Sequence, residues 1–82
     1  MIMFPKEIKA DRELLDGGRF AFNVQHDTLG KLGRIILQPA QQGGSQVTYE
    51  VIDLSDGRFD QRKALMESLA KIVTAAFENA RR

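Results

Sequence analysis

The stretch from Phe59 to Ala80 constrains this chain more than any other. Leu65, Leu69, Ile72, Val73, Ala76, Phe77 and Ala80 recur at spacings of three and four, the period of an amphipathic α-helix. Lys63, Glu67, Lys71, Thr74 and Glu78 fall on the other side. Burying Leu65, Leu69, Ile72, Val73 and Phe77 is worth roughly 8–15 kcal/mol as an upper figure, and a helix alone in water realises none of it. The rest of the chain must supply a surface for this face. Asp60 suits the N-cap, and Glu67 with Lys71 and Glu78 with Arg82 are i,i+4 pairs in the favourable order. Arg81 and Arg82 suit the negative end of the helix dipole.

The segments upstream read as strands. Asp16-Gly17-Gly18 signals a tight turn, and Phe20, Phe22 and Val24 then alternate with Ala21, Asn23 and Gln25. A loop from His26 to Lys31 reverses the chain. Leu32–Gln38 carries the unbroken run Ile35, Ile36, Leu37, which suits a strand covered on both faces or one whose outer face meets a partner. Pro39 ends it, and residues 41–45 read as an exposed loop too short to link domains. Across Gln46–Leu54, Val47, Tyr49 and Val51 lie on one face and Thr48, Glu50 and Ile52 on the other.

Lys6–Leu15 admits two readings. Ile8, Ala10 and Leu14 alternate with Glu7, Lys9, Asp11 and Glu13, which favours a strand with Arg12 as the one defect on its inner face. The competitor is a helix begun near Pro5 and capped at Gly17. The expected fold is therefore α+β: an antiparallel β-meander of three to four strands packed on one C-terminal amphipathic helix, as a single small domain over 1–82. In its core Phe20, Phe22, Val24, Ile36, Val47, Tyr49 and Val51 should meet Leu65, Leu69, Ile72 and Phe77. If residues 6–15 are helical, the order becomes α-β-β-β-α. That resembles double-stranded-RNA-binding domains in element order alone.

Composition narrows the function classes. With 82 residues there is room for one small core, and 43% hydrophobic with 28% charged residues is ordinary for a soluble globular chain. Twelve basic against 11 acidic side chains give a net charge of +1, hence no overall field to draw in nucleic acid or an anionic membrane. The absence of cysteine excludes disulfides and thiolate metal sites. Met1–Phe4 is too short for the apolar region of a signal peptide, and no later run could span a bilayer, so the expected location is cytoplasmic with no membrane partner.

No catalytic set stands out. His26 is the single histidine, so no second imidazole or thiolate can complete a metal site with it, and Thr28 is too local to serve as its nucleophile. Asp11, Glu13, Asp16, Asp53, Asp56 and Asp60 match no calcium-loop spacing. Gly17-Gly18 and Gly43-Gly44 match neither a P-loop nor a dinucleotide fingerprint. No catalytic, cofactor-binding or metal residue is assigned, and no enzymatic activity is expected.

Two constellations remain. Arg58, Arg62 and Lys63 put cations at a helix N-terminus, against the dipole. Either they pair with Asp53, Asp56 or Glu67, which is the cheaper arrangement, or they converge on an anion such as a nucleic-acid phosphate. The second constellation is apolar. Ile35, Leu37, Ile52 and Leu54 fall opposite the expected core face, and Met66 widens the helical stripe. One helix covers one side of a sheet, so these residues call for a second cover, either Met1–Phe4 or another copy of the chain. The expectation is a small protein-binding or regulatory module with a homodimeric or other protein partner. Nucleic-acid contact through the basic first turn is the alternative.

Overall fold

A computed structural model describes residues 3–39 and 45–80. Strands β1 (Ile8–Leu14), β2 (Phe20–His26), β3 (Gly30–Pro39) and β4 (Ser45–Val51) are followed by helix α1 (Phe59–Ala80). The strands form one antiparallel sheet in the order β1-β2-β3-β4, and α1 packs on one face of it. The fold is α+β, as the periodicities imply. The glycine-containing segment 40–44, with Met1, Ile2, Arg81 and Arg82, lies outside the described residues.

Lys6–Leu15 resolves in favour of the strand. Gly17 does not cap a helix; with Gly18 it sits in the left-handed region, at φ 72° and 77°, within a short 3₁₀ turn joining β1 to β2. Leu15 N–H donates to the Arg19 carbonyl at 2.9 Å and closes the hairpin.

Pairing sets the faces. Phe20, Phe22 and Val24 lie opposite Leu37, Ile35 and Gly33, which in turn lie opposite Val47, Tyr49 and Val51. This is the face beneath α1. The assignment of Ile36 to the core, with Ile35 and Leu37 outside, is reversed: Ile35 and Leu37 are fully buried, and Ile36 is half-buried on the far side. A β-bulge is the cause. Val24 pairs with Gly33 but Gln25 with Lys31, so Leu32 is an extra residue without a partner on β2. An uninterrupted alternation with Leu32 inward would set Ile36 inward as well. The extra residue shifts the phase by one, so that Leu32, Ile35 and Leu37 all reach the core.

The bulge depends on Gly33. Its φ is 140°, and a Cβ there would lie 1.9 Å from the Glu50 carbonyl oxygen, inside the backbone of β4. Past the end of β4, Ile52 N–H still donates to the Leu32 carbonyl at 2.9 Å.

The buried line of α1 runs Arg62, Met66, Leu69, Val73, with Leu65, Ile72, Ala76 and Phe77 half-buried beside it. Met66 is thus at the centre of the stripe and not surplus to it. Arg58, not Asp60, holds the N-cap position: its carbonyl accepts from Arg62 N–H at 3.1 Å. Asp60 occupies the first turn, where its charge suits the dipole. The helix lies over β4 and β3. It reaches β2 through Phe77, whose ring centroid is 5.9 Å from that of Phe20.

Candidate functional site

Of the basic cluster, Arg62 points into the protein and is only 1% exposed. A buried guanidinium is tolerable only when paired, and this one is held on every donor side that matters. Its Nη1 and Nη2 donate to the two Asp56 carboxylate oxygens at 2.7 and 2.5 Å, while Nε and Nη2 donate to the Leu29 carbonyl at 3.2 and 2.8 Å. Asp56 also accepts from Arg58 N–H at 3.1 Å. These bonds from Arg62, opposed by burial and reinforced by Arg58 N–H and the Arg62 charge, hold the Asp56 carboxyl far below its ordinary value of 3.8. The same pairing, with a smaller contribution from Asp53, raises the guanidinium against the effect of burial. Arg62 is therefore corrected from a candidate anion contact to an internal tie. Arg58 and Lys63 are exposed, so the cluster does not form one surface patch.

His26 serves the same tie from the other side. Its Nδ1 accepts from the backbone N–H groups of Thr28 and Leu29 at 3.1 and 3.2 Å, with the Thr28 hydroxyl also at 3.1 Å. A neutral ring in this position carries its proton on Nε2. The histidine thus shapes the β2–β3 turn, whose Leu29 carbonyl Arg62 then grips. Among the described residues, no group of histidine, aspartate or glutamate side chains could hold a metal ion.

The candidate interface residues separate. Ile35, Leu37 and Met66 are fully buried in the core, so they are corrected from surface to interior; Ile52 is half-buried and Leu54 is 45% exposed. The far face of the sheet is mainly polar. Arg34 Nε pairs with Glu50 at 3.2 Å, Asn23 donates to Glu13 at 3.0 Å, and Gln38 donates to Gln46 at 3.2 Å. A shallow depression of about 450 Å³ lies beside the bulge, lined by Asn23, Gln25, Lys31, Arg34, Glu50 and Ile52 among others.

The surplus apolar surface lies on the helix side, at the end of β1 and β2 away from the buried Ile8 and Val24. Phe4 packs edge-on against Phe22 at 5.8 Å, and Phe22 against Phe20 at 5.7 Å. The Arg12 guanidinium stands 4.5 Å over the Phe20 ring. These three phenylalanines are only half-buried, and Met3 and Leu14 at the margin are each 79% exposed. A length argument on the sequence could have found this. A helix about 10–12 Å across covers two or three strands spaced about 4.8 Å apart, not four with their side chains.

Comparison of the chain with protein-family models, with curated proteins and with solved structures found no match.

Proposed function

We propose that this protein is a small binding module that acts by self-association through the apolar patch around Phe4, Phe20 and Phe22, without chemistry of its own. One observation carries the reading: Met3 and Leu14, each 79% exposed, border the half-buried rings of Phe4, Phe20 and Phe22. Contiguous apolar surface of this kind marks an interaction site, and a chain near the lower size limit for a core gains stability by sharing one. The polar groups most suited to other work are engaged in the fold, His26 in its turn and Arg62 in its ion pair. Nucleic-acid contact is the weaker reading, because it retains only Arg58 and Lys63 of its cations.

Sedimentation equilibrium over a wide concentration range tests the proposal. A concentration-dependent dimer is expected, weakened by Leu14→Glu while the far-ultraviolet circular dichroism is unchanged. A monomer at every concentration rejects it.

A further inference from the structure

We propose that Asp16 is a site of spontaneous isomerisation to isoaspartate, and that the Arg62 ion pair spares Asp56, the other aspartate followed by glycine. This stands independently of the self-association proposed above. Six aspartates occur in the chain, and only Asp16 and Asp56 precede glycine. Isomerisation runs most readily at such a pair, because glycine has no Cβ to obstruct attack by its own backbone nitrogen.

The reaction balances with water alone. The Gly17 nitrogen attacks the side-chain carboxyl carbon of Asp16 and forms a C–N bond. The carboxyl hydroxyl leaves with the amide proton as water, and a cyclic imide remains. Water then adds back. Opening on the main-chain carbonyl side leaves Gly17 joined through the side-chain carbonyl, which is isoaspartate; opening on the other side restores aspartate. The first step needs the uncharged carboxyl, since a carboxylate is a poor electrophile and has no hydroxyl to lose.

Steric room does not separate the two sites. A Cβ at Gly17 or at Gly57 would meet no atom within 4 Å, and the Asp56 side chain is itself 39% exposed. The difference lies in what holds each carboxyl. Arg19 bonds only the main-chain carbonyl of Asp16, through Nε at 3.0 Å and N–H at a long 3.4 Å. Among the described residues, nothing bonds the exposed Asp16 carboxylate. No residue of this 3₁₀ turn is buried, so it can open locally and bring the carboxyl carbon to the Gly17 nitrogen. At Asp56 both carboxylate oxygens accept from Arg62, and one accepts from Arg58 N–H as well. These bonds fix the side chain and keep it as the unreactive anion. Reaction there has to break the ion pair first.

Isomerisation moves a methylene into the main chain between Leu15 N–H and the Arg19 carbonyl to which it donates. The change therefore loosens the β1–β2 turn beside Leu14, at the margin of the apolar patch.

Ageing the full chain in heavy-oxygen water, at neutral pH and below its unfolding temperature, tests both parts. Each passage through the imide inserts one heavy oxygen. Trypsin separates the sites into peptides 13–19 and 35–58, and fragmentation in the mass spectrometer locates the label. Asp16 is expected to label at least about tenfold faster than Asp56, a power of ten for each unit by which pairing lowers the protonated fraction. In urea, with the ion pair gone, the two rates should converge. Arg62→Gln should speed labelling of Asp56 by about tenfold in a chain still folded by far-ultraviolet circular dichroism. If that variant unfolds, the wild-type ratio, folded against urea, decides. No label at Asp16 in the folded chain overturns the site. Equal rates in the folded chain, a disparity that persists in urea, or a folded Arg62→Gln chain with Asp56 still spared overturns the protection by Arg62.

Discussion

The two halves of the sheet's helix side are built from similar residues and meet different fates. Over β3, the buried line of α1 seals Ile35 and Leu37 from water; on β1 and β2, Ile8 and Val24 are buried in the same core, while Phe20 and Phe22 toward the other end stay half-buried beside Phe4, Phe77 and the Arg12 guanidinium. Apolar character alone therefore does not decide burial here. Position along the strands decides it together with the width of the helix, since Ile8 and Val24 on β1 and β2 are buried. Side chains on the covered half should hold the fold together, and those on the bare half should govern association.

That contrast can be broken by mutation. Leu69→Ala, in the covered half, is expected to lose about 2–5 kcal/mol in urea unfolding, because the site is closed on all sides. Leu14→Ala, in the bare half, should stay within about 0.5 kcal/mol at concentrations where the protein is monomeric. Comparable losses would abolish the distinction. Gly33→Ala should cost on the order of 2–3 kcal/mol, since strand β4 has to retreat from the new Cβ. If it unfolds like the wild type, the bulge is not what fixes the phase of β3.

The ion pair beneath the covered half adds a pH dependence with a definite sign. Asp56 has a depressed value in the folded state, so the unfolded chain binds the proton more readily. Its stabilisation is complete above the ordinary value of 3.8 and is lost as pH falls below it toward the much lower folded value. The stability gap between wild type and Asp56→Asn should therefore be widest near neutral pH and narrow progressively below 3.8. A gap constant down to strongly acidic pH would contradict the pairing. A smaller effect is expected at Tyr49, the single tyrosine, where burial and then the Glu67 carboxylate raise the phenol above 10.0. Titration by ultraviolet absorbance should show that elevation, and Glu67→Gln should lower the midpoint.

Much of the architecture was readable from periodicity. The helix, β2 and β4 announced themselves at 3.6 and 2 residues per repeat, and the charged alternation of β1 favoured the strand it proved to be. Alternation cannot register an added residue, which is why it sets Ile36 inward and Ile35 and Leu37 outward. Gly33 was the available clue, a glycine inside an otherwise apolar strand. Arg62 was concealed by its charge. It stands in line with Met66, Leu69 and Val73, at helical spacing, and a reading that assigns cations to the solvent side overlooks it. The pairing of Arg62 with Asp56 is the cheaper of the two arrangements open to the basic cluster.

The grip of Arg62 on the Leu29 carbonyl joins residues 33 apart in sequence. A contact of that span closes only once the β2–β3 hairpin and the first turn of α1 both exist, and we predict that it forms after the folding barrier. Weakening it, as in Arg62→Lys, should accelerate unfolding and leave the refolding rate nearly unchanged in stopped-flow measurements. That outcome would make the tie a kinetic lock, setting how long the native state lasts more than how quickly it is reached.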